Sequence, residues 1–508
     1  MAVFSIIKNY LLEFTVFICG AVVMIFELIG SRIAGPYVGT SIYAWTSLIG
    51  VILASLSLGY YIGGFVADKR PETKPLAVII FLSAVAILIT FFLKDIISSL
   101  ITLIPFSIEL KSILISVMLF APASFFLGMV SPYAVRLRIK DSEKAGRTAG
   151  NLYAISTLGS IFGTFLGGFY LIPNFGSNAS LLSLSIILVI TSALLLGRAI
   201  FSNWFKFFFI IPIVFFISFS FFVGFSGNFL KTNVIADIDT LYSKILVYKG
   251  IDEKTKKPTL NLATDPFGTQ AAIFTDGTDD LVFNYTKFYR LAGFFNPAIK
   301  ASLMIGGAAY TYPIDFLKNF PNANMDVVEI DPGMTDIARK YFGLKDSPRL
   351  SIIHEDGRIF LNENLKKYDA IFLDAFNSAS SIPFQLTTVE AIQKIYDSLD
   401  VNGVVLVNII SDLEGDRGKF FRAEYATYKN FFPQVYVFAI NNLDDGKNVQ
   451  NIMIVALKSD KVPVLKSSDG QFNQQLGHLW EKPVKNDLPI LTDDFAPVEY
   501  YKKLSLER

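Results

Sequence analysis

The chain has one cysteine, Cys19, and two histidines, His354 and His478, in 508 residues. A single cysteine excludes an internal disulfide, and its place in an apolar run leaves the redox compartment unread. Two histidines are too few for a His-rich metal site or a Ser-His-Asp triad, so no metal is expected. No G-x-x-x-x-G-K-[ST] occurs, which argues against a loop that cradles the phosphates of ATP. Charge is scarce, 18% of residues, and it is divided unevenly. Residues 1–225 hold 14 Lys/Arg and 8 Asp/Glu, which leaves 31 basic and 36 acidic residues in 226–508. The C-terminal half therefore has no basic footprint, and no nucleic-acid partner is expected.

Apolar residues are plentiful, at 52% with 48 Phe. That excess predicts a membrane part followed by a globular part. Seven runs are long enough to span a bilayer: 10–33, 45–66, 75–93, 112–135, 147–172, 179–197 and 204–225. The first has no small-residue cleavage site after it and reads as a retained helix rather than a signal peptide. The stretch Asp95–Leu110 is shorter, is interrupted by Pro105, and reads as interfacial or re-entrant. Gly159, Gly163 and Gly167 line one helix face, where they let a neighbouring backbone approach. Glu13 and Glu27 lie in the first run; each either marks a functional path or finds a partner, Arg32 being one for Glu27. Loop charges put the N-terminus in the cytoplasm. Seven spans would then put the C-terminal half outside, unless Asp95–Leu110 crosses or one run does not, so its side of the membrane stays open.

The sequence divides into a transmembrane helical bundle (1–225), a small β-subdomain (226–300) and a Rossmann-like α/β domain (301–508). Residues 234–290 alternate in short β-like stretches with turns at Lys256–Pro258 and Asp276-Gly277. From Ala301 onward apolar strands alternate with helices at Pro313–Phe320, Met334–Phe342 and Val389–Leu399, the pattern of βαβ units and a mostly parallel sheet.

Four stretches carry the chemistry: SLMIGGAAY, VVEID, HEDGR and YDAIFLDAF. Each is an apolar run ending in Gly or an acid, as strands do when their C-terminal ends meet at a nucleoside site. Gly306 and Gly307 form a tight turn that admits a ligand to the backbone. Glu329 follows at the spacing at which a carboxylate accepts from ribose hydroxyls. Asp356 and Gly357 end the third strand, and Asp374 ends the fourth. A lone acid at a strand end is most often a helix cap. Three in order after a glycine turn point to a nucleoside site.

These residues resemble the spermidine/spermine synthase family, and more closely its membrane-fused branch, in which a bundle similar to half a transporter precedes the synthase-like domain. The resemblance rests on ELIGSRIAGPYVG, LGYYIGGFVADKR, LGMVSPYAVRL and LYAISTLGSIFGTFLGGF in the first half. In the second it rests on DTLYSKILV, DDLVFNYTKF, VVEIDPGMTDIARKYF, EDGR, LDAF, SIPFQLTT and LTDDFAPVE. It implies that Glu329 holds the ribose, that Asp356 and Gly357 read the adenine, and that Gly306 and Gly307 open the glycine loop. It further implies that Gln270 lies on the cofactor side and that Asp374 is the general base taking a proton from an attacking amine. The co-substrate it implies is decarboxylated S-adenosylmethionine or S-adenosylmethionine itself. Departures accompany the matches: Ala309 and Asn377 stand where the family has acids, and Phe283-Asn284-Tyr285 replaces Y-H-E. A polyamine needs carboxylates to replace the water around its ammonium groups.

The expected protein is a multi-pass cell-membrane transferase that moves an aminopropyl or related group to an amine. Three alternatives stand beside it: an S-adenosylmethionine-dependent methyltransferase on a membrane-delivered acceptor, a non-catalytic nucleoside or polyamine sensor, and a regulated transporter. Expected partners are the lipid bilayer, the nucleoside co-substrate and an amine or other small acceptor, with a homodimer as an option.

Overall fold

The computed structural model describes residues 10–39, 42–139, 142–197, 233–240, 242–265, 268–375, 382–443 and 445–506. The chain forms two compact units, Met1–Thr232 and Asn233–Arg508.

The first unit is helical: α1 (Leu11–Val38), α2 (Ile42–Lys69), α3 (Thr73–Leu103), α4 (Ile108–Leu119), α5 (Ala121–Arg138), α6 (Ala145–Leu166) and α7 (Ile172–Leu196). Among the described residues, α1, α2, α3 and the run Ala145–Leu196 are long and apolar enough to cross a membrane. The pair α4 and α5, bent by 56°, would make a fifth span if it crosses as one. The described residues thus hold four to five of the seven expected spans. The run 204–225 lies outside the described residues. A π-helical turn at Gly167–Leu171 joins α6 to α7, and the helix breaks at Gly176, whose φ is 70°, between the expected runs 147–172 and 179–197. Asp95–Leu110 is no separate piece. Helix α3 runs straight through Lys94 and Asp95, which pair at 2.8 Å, and stops at Leu103 ahead of Pro105.

The glycine stripe packs as its spacing predicts. A Cβ on Gly159 would lie 2.0 Å from the Phe17 carbonyl oxygen, and one on Gly163 would lie 2.4 Å from that of Ala21. Helix α6 thus meets α1 backbone to backbone. Glu13 pairs with Arg138 at 2.8 Å, tying α1 to the end of α5.

The second unit holds two sheets. The smaller is an antiparallel meander of β1 (Val234–Asp239), β2 (Lys244–Ile251), β3 (Pro258–Ala263) and β4 (Ala271–Phe274). Short helices α8 (Asn284–Phe288) and α9 (Leu291–Phe295) lead into alternating strands and helices. These are β5 (Ala301–Ile305), α10 (Thr311–Asn319), β6 (Asn324–Val328), α11 (Pro332–Tyr341), β7 (Leu350–Ile353), α12 (Gly357–Glu363) and β8 (Tyr368–Leu373). Then come α13 (Val389–Ser398), β9 (Leu399–Ser411), α14 (Lys419–Lys429), β10 (Gln434–Ala439), β11 (Gln450–Leu457), α15 (Gly470–Leu476) and α16 (Val498–Leu506).

The larger sheet has the order β10-β11-β9-β8-β5-β6-β7, with β11 antiparallel to both its neighbours and the other pairs parallel. Its core strands are apolar on both faces because helices cover both. The chain leaves β5 toward β6 and β7, then returns to β8 on the other side. The crevice between β5 and β8 is therefore the point where the strand order reverses, the place where open α/β sheets bind ligands. The small sheet reaches this end through an apolar cluster in which Ile245, Leu262 and Ala271 meet Ala309, Met334 and Ile337.

Candidate functional site

At the reversal point the ends of β5 and β8 touch. A Cβ on Gly306 would lie 2.4 Å from the Asp374 carbonyl oxygen, and the φ of Gly306 is +92°, so only glycine fits. The loop continues with Ala308 at φ 44° and Tyr310 at φ 57°, both left-handed without being glycine. Such conformations cost energy and cluster at functional sites. The loop is held by Glu329. One carboxylate oxygen accepts from the N–H groups of Gly307 (2.8 Å) and Ala308 (3.1 Å), and the other accepts from that of Asp331 (2.9 Å). Glu329 is 7% exposed, and burial pushes its carboxyl up while these N–H donors pull it back.

Asp356 caps α12, accepting from the N–H groups of Arg358 (2.8 Å) and Ile359 (3.2 Å). Gly357 is packed against Ile305. Arg358 donates to the Gln385 carbonyl, to Thr388 Oγ1 and, at 2.7 Å, to Asp493. Thr388 in turn donates to Asp493 at 2.6 Å. Asp493 thus fastens the segment around Gln385 to α12.

Asp374 follows β8. Its Oδ1 accepts from Asn408 Nδ2 at 3.0 Å, and Asn408 Oδ1 accepts from Asn451 Nδ2 at 3.0 Å. Burial raises the Asp374 carboxyl to about 6, against the pull of the Asn408 hydrogen bond and of the nearby Tyr285 and Tyr289 hydroxyls, which donate to the Gln270 and Leu373 carbonyls. A carboxyl poised there is ionised at neutral pH and still basic enough to accept a proton.

Two cavities meet at Asp374. The smaller, of about 120 Å³, is lined by Gly306, Glu329, Asp356, Gly357, Gln270 and Asp374 among others. The larger, of about 670 Å³, shares Gln270, Ala308 and Asp374 with it. Of the seven site residues expected from sequence, Gly307 alone stays out of the smaller cavity's lining; it lies in the same loop, over the Tyr310 ring. Asn377 lies outside the described residues. Ala309 is fully buried under the loop against Met334 and Ile337 and lines neither cavity. Tyr310 is likewise buried, its hydroxyl meeting Thr335 at 2.7 Å, and lines neither cavity.

Sequence reasoning missed Asn408 and Asn451. The signal was there: each is a lone amide in an otherwise apolar strand, VVLVNII and NIMIVAL. A buried polar group in such a strand calls for a partner.

Residues 285–444 match the spermine/spermidine synthase domain. A polyamine aminopropyltransferase of Vibrio vulnificus is 27% identical over 290 residues, which cover 54% of this chain and 92% of that one. Polyamine aminopropyltransferase 1 of Streptomyces coelicolor is 21% identical over 433 residues, covering 78% of this chain and 75% of that protein. A probable spermidine synthase from Corynebacterium glutamicum, a solved structure, aligns at 21% identity and a TM-score of 0.39 over 47% of this chain and 85% of its own. The C-terminal part of the chain carries a spermine/spermidine synthase domain, preceded by apolar helices of membrane-spanning length.

Proposed function

We propose that the protein is a membrane-anchored transferase that moves an aminopropyl or related group from a decarboxylated S-adenosylmethionine-type donor to an amine. The observation that carries the reading is the meeting of two cavities at one basic carboxylate. The smaller has the chemistry a nucleoside asks for: Glu329 for ribose hydroxyls, Asp356 for an adenine amino group, and the Gly306-Gly307 turn for close approach. The Glu329 carboxylate accepts three backbone N–H groups and still has lone-pair capacity for a ribose, since an ionised carboxylate offers about four acceptor sites.

The acceptor amine enters from the larger cavity. Its nitrogen attacks the carbon next to the sulfonium sulfur; a C–N bond forms, the C–S bond breaks, and methylthioadenosine leaves uncharged. Asp374 takes the proton that the new ammonium sheds, and Gln270 and Ala308 flank the line of transfer.

Calorimetry on the purified protein tests the nucleoside site. Methylthioadenosine should bind, and Asp356→Ala should weaken it by about ten-fold, the worth of one lost charge-assisted hydrogen bond. Circular dichroism of the variant controls for its lost helix cap. Failure of methylthioadenosine, S-adenosylmethionine and its decarboxylated form to bind overturns the reading. Tight binding of S-adenosylmethionine alone, with methyl transfer, would replace it by a methyltransferase.

A further inference from the structure

Five asparagines line the larger cavity: Asn261, Asn284, Asn408, Asn441 and Asn451. Four carboxylates reach its lining among the described residues: Asp252, Glu253, Asp265 and Asp374. Only Asp374 stands where the two cavities join. Asp265 is turned onto its own loop, where it accepts from the Gly268 N–H at 3.0 Å. Asp252 and Glu253 lie with Lys254 on the outer hairpin between β2 and β3, and Asp252 holds that turn by accepting from the Thr255 N–H at 2.7 Å. Water screens charges so placed. The neighbouring acids are engaged outside the cavity: Asp279 pairs with Lys318, and Asp280 pairs with Lys287 and Arg290.

The cavity thus has one carboxylate at its reacting end and neutral amides around it. An ammonium group that leaves water needs a carboxylate partner; amide dipoles replace its hydration poorly. Asn408 and Asn451 spend part of their capacity on the chain to Asp374; the amide capacity that remains suits hydroxyl and amide groups, because an amide side chain carries two donors and an acceptor. The volume, about 670 Å³, belongs to the range of sites for small organic ligands.

We propose that the acceptor is a monoamine with an uncharged body rich in hydroxyl or amide groups, its single amino group going to Asp374 and its body to the asparagines. The proposal rests on the aminopropyl-transfer reading above and gives it a substrate class.

A matched pair of acceptors tests it: 4-amino-1-butanol and 1,4-diaminobutane, which differ only in a terminal hydroxyl against a terminal ammonium. The full chain in detergent, supplied with decarboxylated S-adenosylmethionine, is assayed for methylthioadenosine and for the alkylated amine by mass spectrometry. The amino alcohol should give a kcat/KM about ten-fold or more above the diamine, since the second ammonium lacks a charged partner. Asn284→Asp and Asn441→Asp, both at exposed positions, should each move the preference toward the diamine. Methylthioadenosine formed equally or better with the diamine by the unaltered protein overturns the monoamine proposal and leaves aminopropyl transfer standing. Release with no amine at all, while the nucleoside binds, removes both.

Discussion

At the scale of single residues, Asp374 carries the strongest expectation. Its carboxyl is raised to about 6, so it is protonated below that pH and unable to accept a proton there. Turnover should therefore rise through about pH 6 on the acid side, and Asp374→Asn should abolish that limb with a loss of roughly a hundred-fold or more in kcat. Asn408→Ala removes a donor that stabilises the ionised form, and should move the limb to higher pH without erasing it. The same shift has a sign for stability. A carboxyl raised in the folded state favours folding below its unfolded value of 3.8, and that contribution is lost as pH rises through about 6. The loop before it holds a second expectation. Ala308 pays for a left-handed conformation at φ 44°, so Ala308→Gly should stabilise the protein by about 1 kcal/mol in thermal unfolding, less the added freedom of the unfolded chain.

At the scale of elements, the clamp of Arg358, Thr388 and Asp493 joins three separate stretches at the rim of the smaller cavity. Asp493→Ala should cost about 1 kcal/mol, since Asp493 is partly exposed, and should open residues 382–388 to protease. Strands and helices of this unit were legible because their periodicities differ. The helices at Thr311–Asn319, Pro332–Tyr341 and Val389–Ser398 fall within two residues of their sequence positions. The acids at the strand ends were legible for the same reason, since each closes an apolar run. Asn408 and Asn451 were not, because their importance lies in a contact across antiparallel strands that are far apart in sequence. The membrane helices were read less well. Lys94 and Asp95 look like the end of an apolar run, but once paired they let α3 continue to Leu103. The break at Gly176, by contrast, falls in the gap between the expected runs 147–172 and 179–197.

At the scale of the whole molecule, each unit has its own core, and that of the first depends on backbone contact between α1 and α6. Gly163→Leu forces a side chain onto the Ala21 carbonyl and should unfold this unit in detergent at a markedly lower temperature, as read by the fluorescence of Trp45 in a background where Trp204 and Trp480 are replaced by Phe. In the second unit the two cavities are built from different lengths of chain. Beyond the shared Gln270, Ala308 and Asp374, the nucleoside side draws mainly on the turns after β5, β6, β7 and β8. The other side draws on the early hairpins and on the late strands β9 and β11. Substitutions can accumulate in the hairpins and the late strands while the turns around the smaller cavity stay as they are. On the proposed function, descendants of such a chain would inherit one donor and diverge in what they modify.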